Sequence, residues 1–263
     1  MNVAVIGGTG VYDPAWMLDA HTESVATPYG EALVTRGRLA SAPDLSIIFL
    51  NRHGTGHALP PHRVNYRANI WALKALGVDR VVATAAVGSL NQAMAPGHFV
   101  LVDQFLDFTK SRPSTFFEGG EAGVVHTDMT EPYCGASRHR LSLAAAKWGI
   151  PLVNGGVYVT TEGPRFESAA EIRAFKLLGG DVVGMTGVPE VVLAREAGMC
   201  YTAIALVTNY AAGLAGQPLT HQEVLDVMKQ QSERLRQLLA EGLPRLAETY
   251  ACDCPTPETP LIP

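Results

Sequence analysis

Hydrophobic residues along this chain fall into two rhythms. Short runs rich in Val, Ile and Ala stand at 3–6, 46–50, 80–84, 99–102, 156–161, 181–184 and 201–208. Each is short and continuously apolar, which predicts a strand buried on both faces. Between them, apolar positions recur every three or four residues at 64–76, 137–148, 169–178, 190–197 and 221–250. That spacing predicts amphipathic helices. Pro244 lies inside the last and is expected to kink or divide it, because proline removes a helical N–H and crowds the preceding turn. The alternation of the two patterns predicts an α/β fold, a single domain over residues 1–250 with a central mixed β-sheet flanked by helices. Residues 251–263 read as a Pro-rich C-terminal tail, with four prolines among the last twelve positions.

Polar and Gly-rich segments recur where the predicted strands end, which is where ligands gather in open α/β sheets. They are Gly7-Gly8-Thr9-Gly10, Asn51-Arg52-His53-Gly54, Thr84-Ala85-Ala86-Val87-Gly88-Ser89 and Gly184-Met185-Thr186-Gly187. Together they offer two hydroxyls (Thr9, Thr186), a guanidinium (Arg52), an imidazole (His53) and backbone donors near Ala85 and Ala86. The last corner opens a helix, whose free N–H groups and dipole favour an anion. This combination suits a free phosphate, with Arg52 able to grip two oxygens. A dinucleotide-binding turn is the rival reading of Gly7–Gly10, but its third glycine is due near position 13, where Asp13 stands.

Two further strand ends offer groups for a planar ring. In Thr161-Glu162-Gly163-Pro164-Arg165-Phe166-Glu167, Phe166 can stack on a ring and Glu167 can accept from a ring N–H; alternatively, Phe166 joins the core and Glu167 caps the next helix. Asn209, in Val207-Thr208-Asn209-Tyr210-Ala211, offers a carboxamide or simply ties a turn.

Composition narrows the field. The 263 residues carry a net charge of −5, and no basic block appears, so no nucleic-acid partner is expected. Charged residues make up only 17% against 47% hydrophobic, which favours an oligomer that buries part of its surface. The first apolar run is too short for a signal peptide or a membrane span, so a cytoplasmic location and no membrane partner are expected. Cys134, Cys200, Cys252 and Cys254 lack metal-ligand spacing apart from Cys252-Asp253-Cys254, and no His stands beside that pair. No metal is expected, and the tail pair reads as free thiols, with a local disulfide as the alternative.

Taken together, the motifs resemble the purine nucleoside phosphorylase and methylthioadenosine phosphorylase family in its trimeric class, from about Val3 to Ala247. Besides the corners above, Val64-Asn65-Tyr66-Arg67-Ala68-Asn69-Ile70-Trp71-Ala72-Leu73 and Val188-Pro189-Glu190 carry the likeness. The resemblance implies the nucleoside phosphorylase fold and a phosphate site made by Thr9, Arg52, His53, Ala85, Ala86 and Thr186. It implies a nucleoside site made by Phe166, Glu167, Met185, Asn209, Ala211 and His221, with Asn209, His53 and Arg52 closest to the chemistry. Ala85 stands where methylthioadenosine phosphorylases usually carry Thr, which costs one hydroxyl contact. Inorganic phosphate would be the co-substrate, with no cofactor. The expected assembly is a homotrimer or a dimer of trimers, with His126 reaching into a neighbour's site.

Three positions bear on the substrate. Adenine-preferring relatives typically carry Ser at the position of Glu167 and Asp at that of Asn209, and both residues here follow the 6-oxopurine pattern. At His221, methylthio-specific relatives place a small apolar residue, whereas an imidazole suits a 5′-hydroxyl. The implied activity is phosphate-dependent cleavage of inosine and guanosine to free base and ribose 1-phosphate. Phosphorolysis of S-methyl-5′-thioinosine or S-methyl-5′-thioadenosine is the alternative, and a nucleoside-binding protein without turnover is a more distant one.

Overall fold

The computed structural model describes residues 2–8, 11, 16–214, 220–254 and 261, without the Thr55 side chain. Eleven strands form one mixed sheet: β1 (Asn2–Gly7), β2 (Met17–Thr27), β3 (Gly30–Leu39), β4 (Ala42–Asn51), β5 (Val78–Ser89), β6 (Phe99–Leu101), β7 (Gln104–Phe108), β8 (Leu152–Asn154), β9 (Val157–Thr161), β10 (Val182–Gly184) and β11 (Cys200–Tyr210). Five α-helices accompany it among the described residues: α1 (Tyr66–Ala75), α2 (Gly135–Lys147), α3 (Ala169–Leu177), α4 (Gly187–Glu196) and α5 (His221–Ala247).

Strand β1 shows why the sheet needs cover on both faces. Ala4 and Ile6 enter a core shared with Ile70 of α1 and Val191 of α4. Val3 and Val5 enter a second core shared with Leu141 of α2 and Leu238 of α5. One continuous apolar run therefore serves two cores, as expected of a central strand in a covered sheet.

The pairing of β5 creates the functional cleft. Strand β1 runs parallel along one edge of β5 as far as Ala83, and β11 follows β5 from Arg80 to Ser89. Strand β10 pairs antiparallel only with Gly88 and Ser89. Between these partners, residues 84–87 keep one edge that no strand occupies among the described residues. The opening lies at the carboxyl ends of β1 and β4, at a break in the strand order where α/β sheets bind ligands.

Departures from the sequence reading have local causes. The β2–β3 hairpin went unpredicted because β2 is largely exposed and carries polar residues, so it lacks an apolar stripe. Strands β7 and β8 are short and partly exposed. Pro244 neither divides nor ends α5, which continues to Ala247. The carbonyl of Ala240, four residues earlier, loses its helical partner to the proline and accepts from the Ser41 hydroxyl instead, at 3.2 Å. Among the described residues no helix is long and apolar enough to cross a membrane.

Glycine at the β10–α4 corner is a packing requirement. A Cβ on Gly184 would stand 2.2 Å from Tyr158 Oη, and one on Gly187 would stand 2.1 Å from Tyr158 Cε1. The buried Tyr158 ring thus lies directly beneath the corner. Gly187→Ala should lower unfolding free energy by about 1–3 kcal/mol through overpacking. Denaturant unfolding measures this, and an unchanged midpoint would show that the ring can retreat.

Candidate active site

A cavity of about 450 Å³ opens at the free edge of β5, a volume in the range of small-ligand sites. Its wall includes Arg52, His53, Ala85, Ala86, Phe166, Glu167, Met185, Thr186, Asn209, Ala211 and His221. Residues taken from six separate chain segments therefore converge on one space. Thr9 lies outside the described residues. His126 lies elsewhere, exposed on the long connection between β7 and α2.

At one end, the sequence reading underestimated how Arg52 is held. Its Nε and Nη2 donate to the two carboxylate oxygens of Glu190 at 2.6 and 2.7 Å, and Nη1 donates to the Thr84 carbonyl at 2.8 Å. Both partners are almost wholly buried, and Tyr201 Oη donates to the same carboxylate at 2.7 Å. Burial alone would lower the Arg52 pKa, but Glu190 outweighs it and holds the guanidinium firmly charged. Three of its five N–H groups are committed to protein, and two remain for a ligand.

His53 is fixed just as closely. Its Nδ1 lies 2.8 Å from the Leu59 carbonyl; that acceptor requires the proton on Nδ1 and leaves a lone pair on Nε2. Burial, with the Arg52 charge as second cause, pushes its pKa down to about 4. The imidazole is therefore neutral at physiological pH. Thr84 Oγ1 accepts from the Gly8 N–H at 3.1 Å, which fixes the turn after β1. Thr186 caps α4 without a side-chain bond to a helical N–H.

At the other end, Glu167 is buried and accepts from Thr161 Oγ1 at 2.6 Å. Burial pushes its carboxyl above the ordinary range, while the Thr161 hydroxyl works against that shift. Phe166 is 39% exposed at the cavity, so it is not the core residue of the alternative reading. The helix cap expected of Glu167 belongs to neighbours: Ser168 and Glu171 form a capping box on α3.

Asn209 owes its place to a β-bulge. Val207 pairs with Val87 and Asn209 with Gly88, so Thr208 is the extra residue. Thr208 Oγ1 lies 2.9 Å from Asn209 Oδ1, and Asn209 Nδ2 donates to the Tyr210 carbonyl at 2.9 Å. These contacts define the amide orientation and leave one N–H of Nδ2 for a ligand.

Two residues escaped the sequence reading. Arg112 lies almost wholly buried beneath the site. It donates to the carbonyls of Met185 (2.7 Å), Val188 (2.8 Å), Thr161 (3.2 Å) and Glu162 (2.6 Å), tying the β9 end to the α4 corner. A lone arginine in a loop carries no sequence signal for such a role. His57 faces the cavity with its ring centroid 4.1 Å from that of His53. Burial first and His221 second push its pKa down, so three histidines share this wall. The motif Arg52-His53-Gly54 drew attention away from a histidine four residues on. Among the described residues, the one group able to hold a metal ion is a set of four cysteines, none of which lines this cavity.

Residues 2–243 match the phosphorylase superfamily, and the chain belongs to it. Among relatives, the probable 6-oxopurine nucleoside phosphorylase of Moorella thermoacetica is 56% identical over 97% of this chain and 96% of its own length. The 6-oxopurine nucleoside phosphorylase of Pyrococcus furiosus is 52% identical, with 96% of each chain covered. Among solved structures, methylthioadenosine phosphorylase from Schistosoma mansoni in complex with adenine superposes with a TM-score of 0.89 at 36% identity, covering 95% of this chain and 93% of that one.

The ion pair and the neutral histidine make separate predictions. Arg52→Ala leaves Glu190 buried without its cation and should cost about 3–5 kcal/mol of stability. Arg52→Met with Glu190→Gln should recover much of that loss, as read by thermal unfolding. His53 titrates near 4 when folded and near 6.5 when unfolded. Its stabilising contribution is thus present above pH 6.5 and lost as pH falls towards 4, because the unfolded chain binds the proton first. His53→Asn should lose less stability than the native chain over that interval; parallel pH profiles would show that His53 is not held neutral.

Proposed function

We propose that this enzyme cleaves 6-oxopurine nucleosides, inosine and guanosine, with inorganic phosphate to give free base and ribose 1-phosphate. The observation that carries this reading is the pairing of Glu167 and Asn209 on one cavity wall, each held by its own hydrogen bonds. A 6-oxopurine bears hydrogen on N1, which a Glu167 carboxylate can accept. Adenine presents a lone pair there, and acceptor would face acceptor at a buried site, a costly mismatch. The remaining N–H of Asn209 suits N7, where negative charge grows as the base departs. The names of the two relatives above agree with this base preference.

Phosphate is assigned to the opposite end. Two N–H groups of Arg52, the unpaired edge of β5 at Ala85 and Ala86, and Thr186 supply donors there. Neutral His53 has a lone pair on Nε2 and complements them by accepting from a P–OH group. Phosphate then attacks the anomeric carbon as the glycosidic bond breaks, through a sugar resembling an oxocarbenium ion. Position and fixed donors supply most of the assistance. We assign the enzyme to purine salvage in the cytoplasm as a homotrimer or a dimer of trimers. Val124, 68% exposed two residues from His126, is the kind of apolar side chain that a neighbouring subunit covers.

A second reading, cleavage of S-methyl-5′-thioinosine, draws on Val224. It lines the cavity one turn after His221 and offers an apolar contact for a methylthio group. The deciding measurement is base release from inosine, adenosine, S-methyl-5′-thioinosine and S-methyl-5′-thioadenosine, each with and without phosphate. The proposal expects phosphate-dependent cleavage with inosine preferred. His221→Ala should cut kcat/KM for inosine by about 10-fold or more and spare the methylthio substrate, in line with about 1.4 kcal/mol for one hydrogen bond. Glu167→Ser with Asn209→Asp should shift preference towards adenosine. Native preference for S-methyl-5′-thioadenosine would overturn the base assignment.

A further inference from the structure

Four cysteines far apart in sequence meet at the other end of β11 from the cavity. Cys134 caps α2, Cys200 opens β11, and Cys252 and Cys254 follow α5. Their sulfurs all lie within 4.8 Å of one another, and Cys200 Sγ stands 3.4 Å from Cys252 Sγ. A zinc ion held by four thiolates at about 2.3 Å sets its sulfurs roughly 3.8 Å apart, so the side chains are already gathered at that scale. We propose that these cysteines bind one zinc ion in a closed structural site that fastens the C-terminal segment to the sheet.

Surrounding groups favour thiolate ligands. The Ser137 N–H and hydroxyl both donate to Cys134 Sγ, at 3.4 and 3.2 Å. Donors of this kind support metal-bound thiolates, whereas neutral sulfur is a weak acceptor. Cys134 also stands at a helix N-terminus, where the dipole favours negative charge. Binding releases the four thiol protons to solvent, forms four Zn–S bonds and changes no oxidation state.

The site completes an attachment that other contacts begin. Arg80 donates to the carbonyls of Leu246, Glu248 (2.7 Å) and Tyr250 (3.4 Å). The Tyr250 ring lies between Arg80 at 3.6 Å and Arg140 at 4.0 Å, and its hydroxyl meets Ser137 Oγ at 2.9 Å. The ion links Cys252 and Cys254 to Cys134 on one helix and Cys200 on a central strand. Along β11, Cys200 and Asn209 are separated by about 30 Å at roughly 3.3 Å per residue, so the ion holds structure and takes no part in cleavage.

The test uses the full chain, reduced and stripped of metal, then titrated with Co²⁺ and with Zn²⁺. The expected result is a tetrahedral thiolate cobalt spectrum that saturates at one ion per chain and is bleached by zinc. Zinc should raise the midpoint of thermal unfolding by roughly 5 °C or more, and Cys252→Ser with Cys254→Ser should abolish both effects while nucleoside cleavage stays within about twofold. If that variant fails to fold, the cobalt titration of the native chain decides alone. A reduced native chain that gives no thiolate cobalt spectrum would overturn the proposal, whether its thiols stay free or pair into two disulfides.

Discussion

The buried pair between Arg52 and Glu190 is the constraint on which the site depends. Its members come from the end of β4 and the first turns of α4, with Tyr201 of β11 and the Thr84 carbonyl of β5 completing the network. An ion pair in such a place gains little net stability over an apolar pair, because both charges must leave water. What it supplies is a fixed cation at the stretch where one edge of β5 has no strand beside it among the described residues. An apolar substitute could hold the elements together but could not present N–H groups to an anion. Arg112 plays the complementary part beneath the other wall, where its donors gather the carbonyls of Thr161, Glu162, Met185 and Val188. Two buried arginines thus hold the loops that regular secondary structure cannot.

Apolar sequence patterns revealed the parts of this fold that bury most. The runs at 3–6, 80–84 and 201–208 lie within β1, β5 and β11, whose side chains fill two cores, and their chemistry leaves few alternatives. Strand β2 could not be read in the same way, since most of its residues are polar and exposed and β3 is its one strand partner among the described residues. The continuity of α5 past Pro244 was hidden for a different reason: the Ser41 hydroxyl that takes the orphaned carbonyl lies 199 residues away in sequence. The cysteines show the same limit. Spacing rules see ligands that neighbour one another along the chain, whereas Cys134 and Cys200 reach the tail pair only through the fold.

The candidate site was visible where each side chain came with a strand end or a Gly-rich corner, as Arg52, His53, Thr186 and Asn209 did. Family resemblance sharpened Glu167 and His221, which residue chemistry alone left open. What no motif conveyed was the state of those groups: that Arg52 has already committed its best fork to Glu190, or that His53 is neutral because burial and the Arg52 charge make it so. These follow from partners that tertiary packing delivers, and they alter what each residue can offer a ligand.

The extra residue in β11 has a consequence for how the protein can change. Up to Val207, odd positions (Tyr201, Ala203, Ala205) enter one core and even positions (Ile204, Leu206) the other. The bulge at Thr208 breaks that parity, so position 209 is released from the apolar alternation and from any demand to fill a core. A carboxamide and a protonated carboxyl group are nearly the same size, and each carries a donor for the Tyr210 carbonyl. Under the proposed function, base preference is thereby placed on a residue that the two cores do not claim. On that reading, a change of purine needs no substitution among the side chains that fill the sheet's two cores.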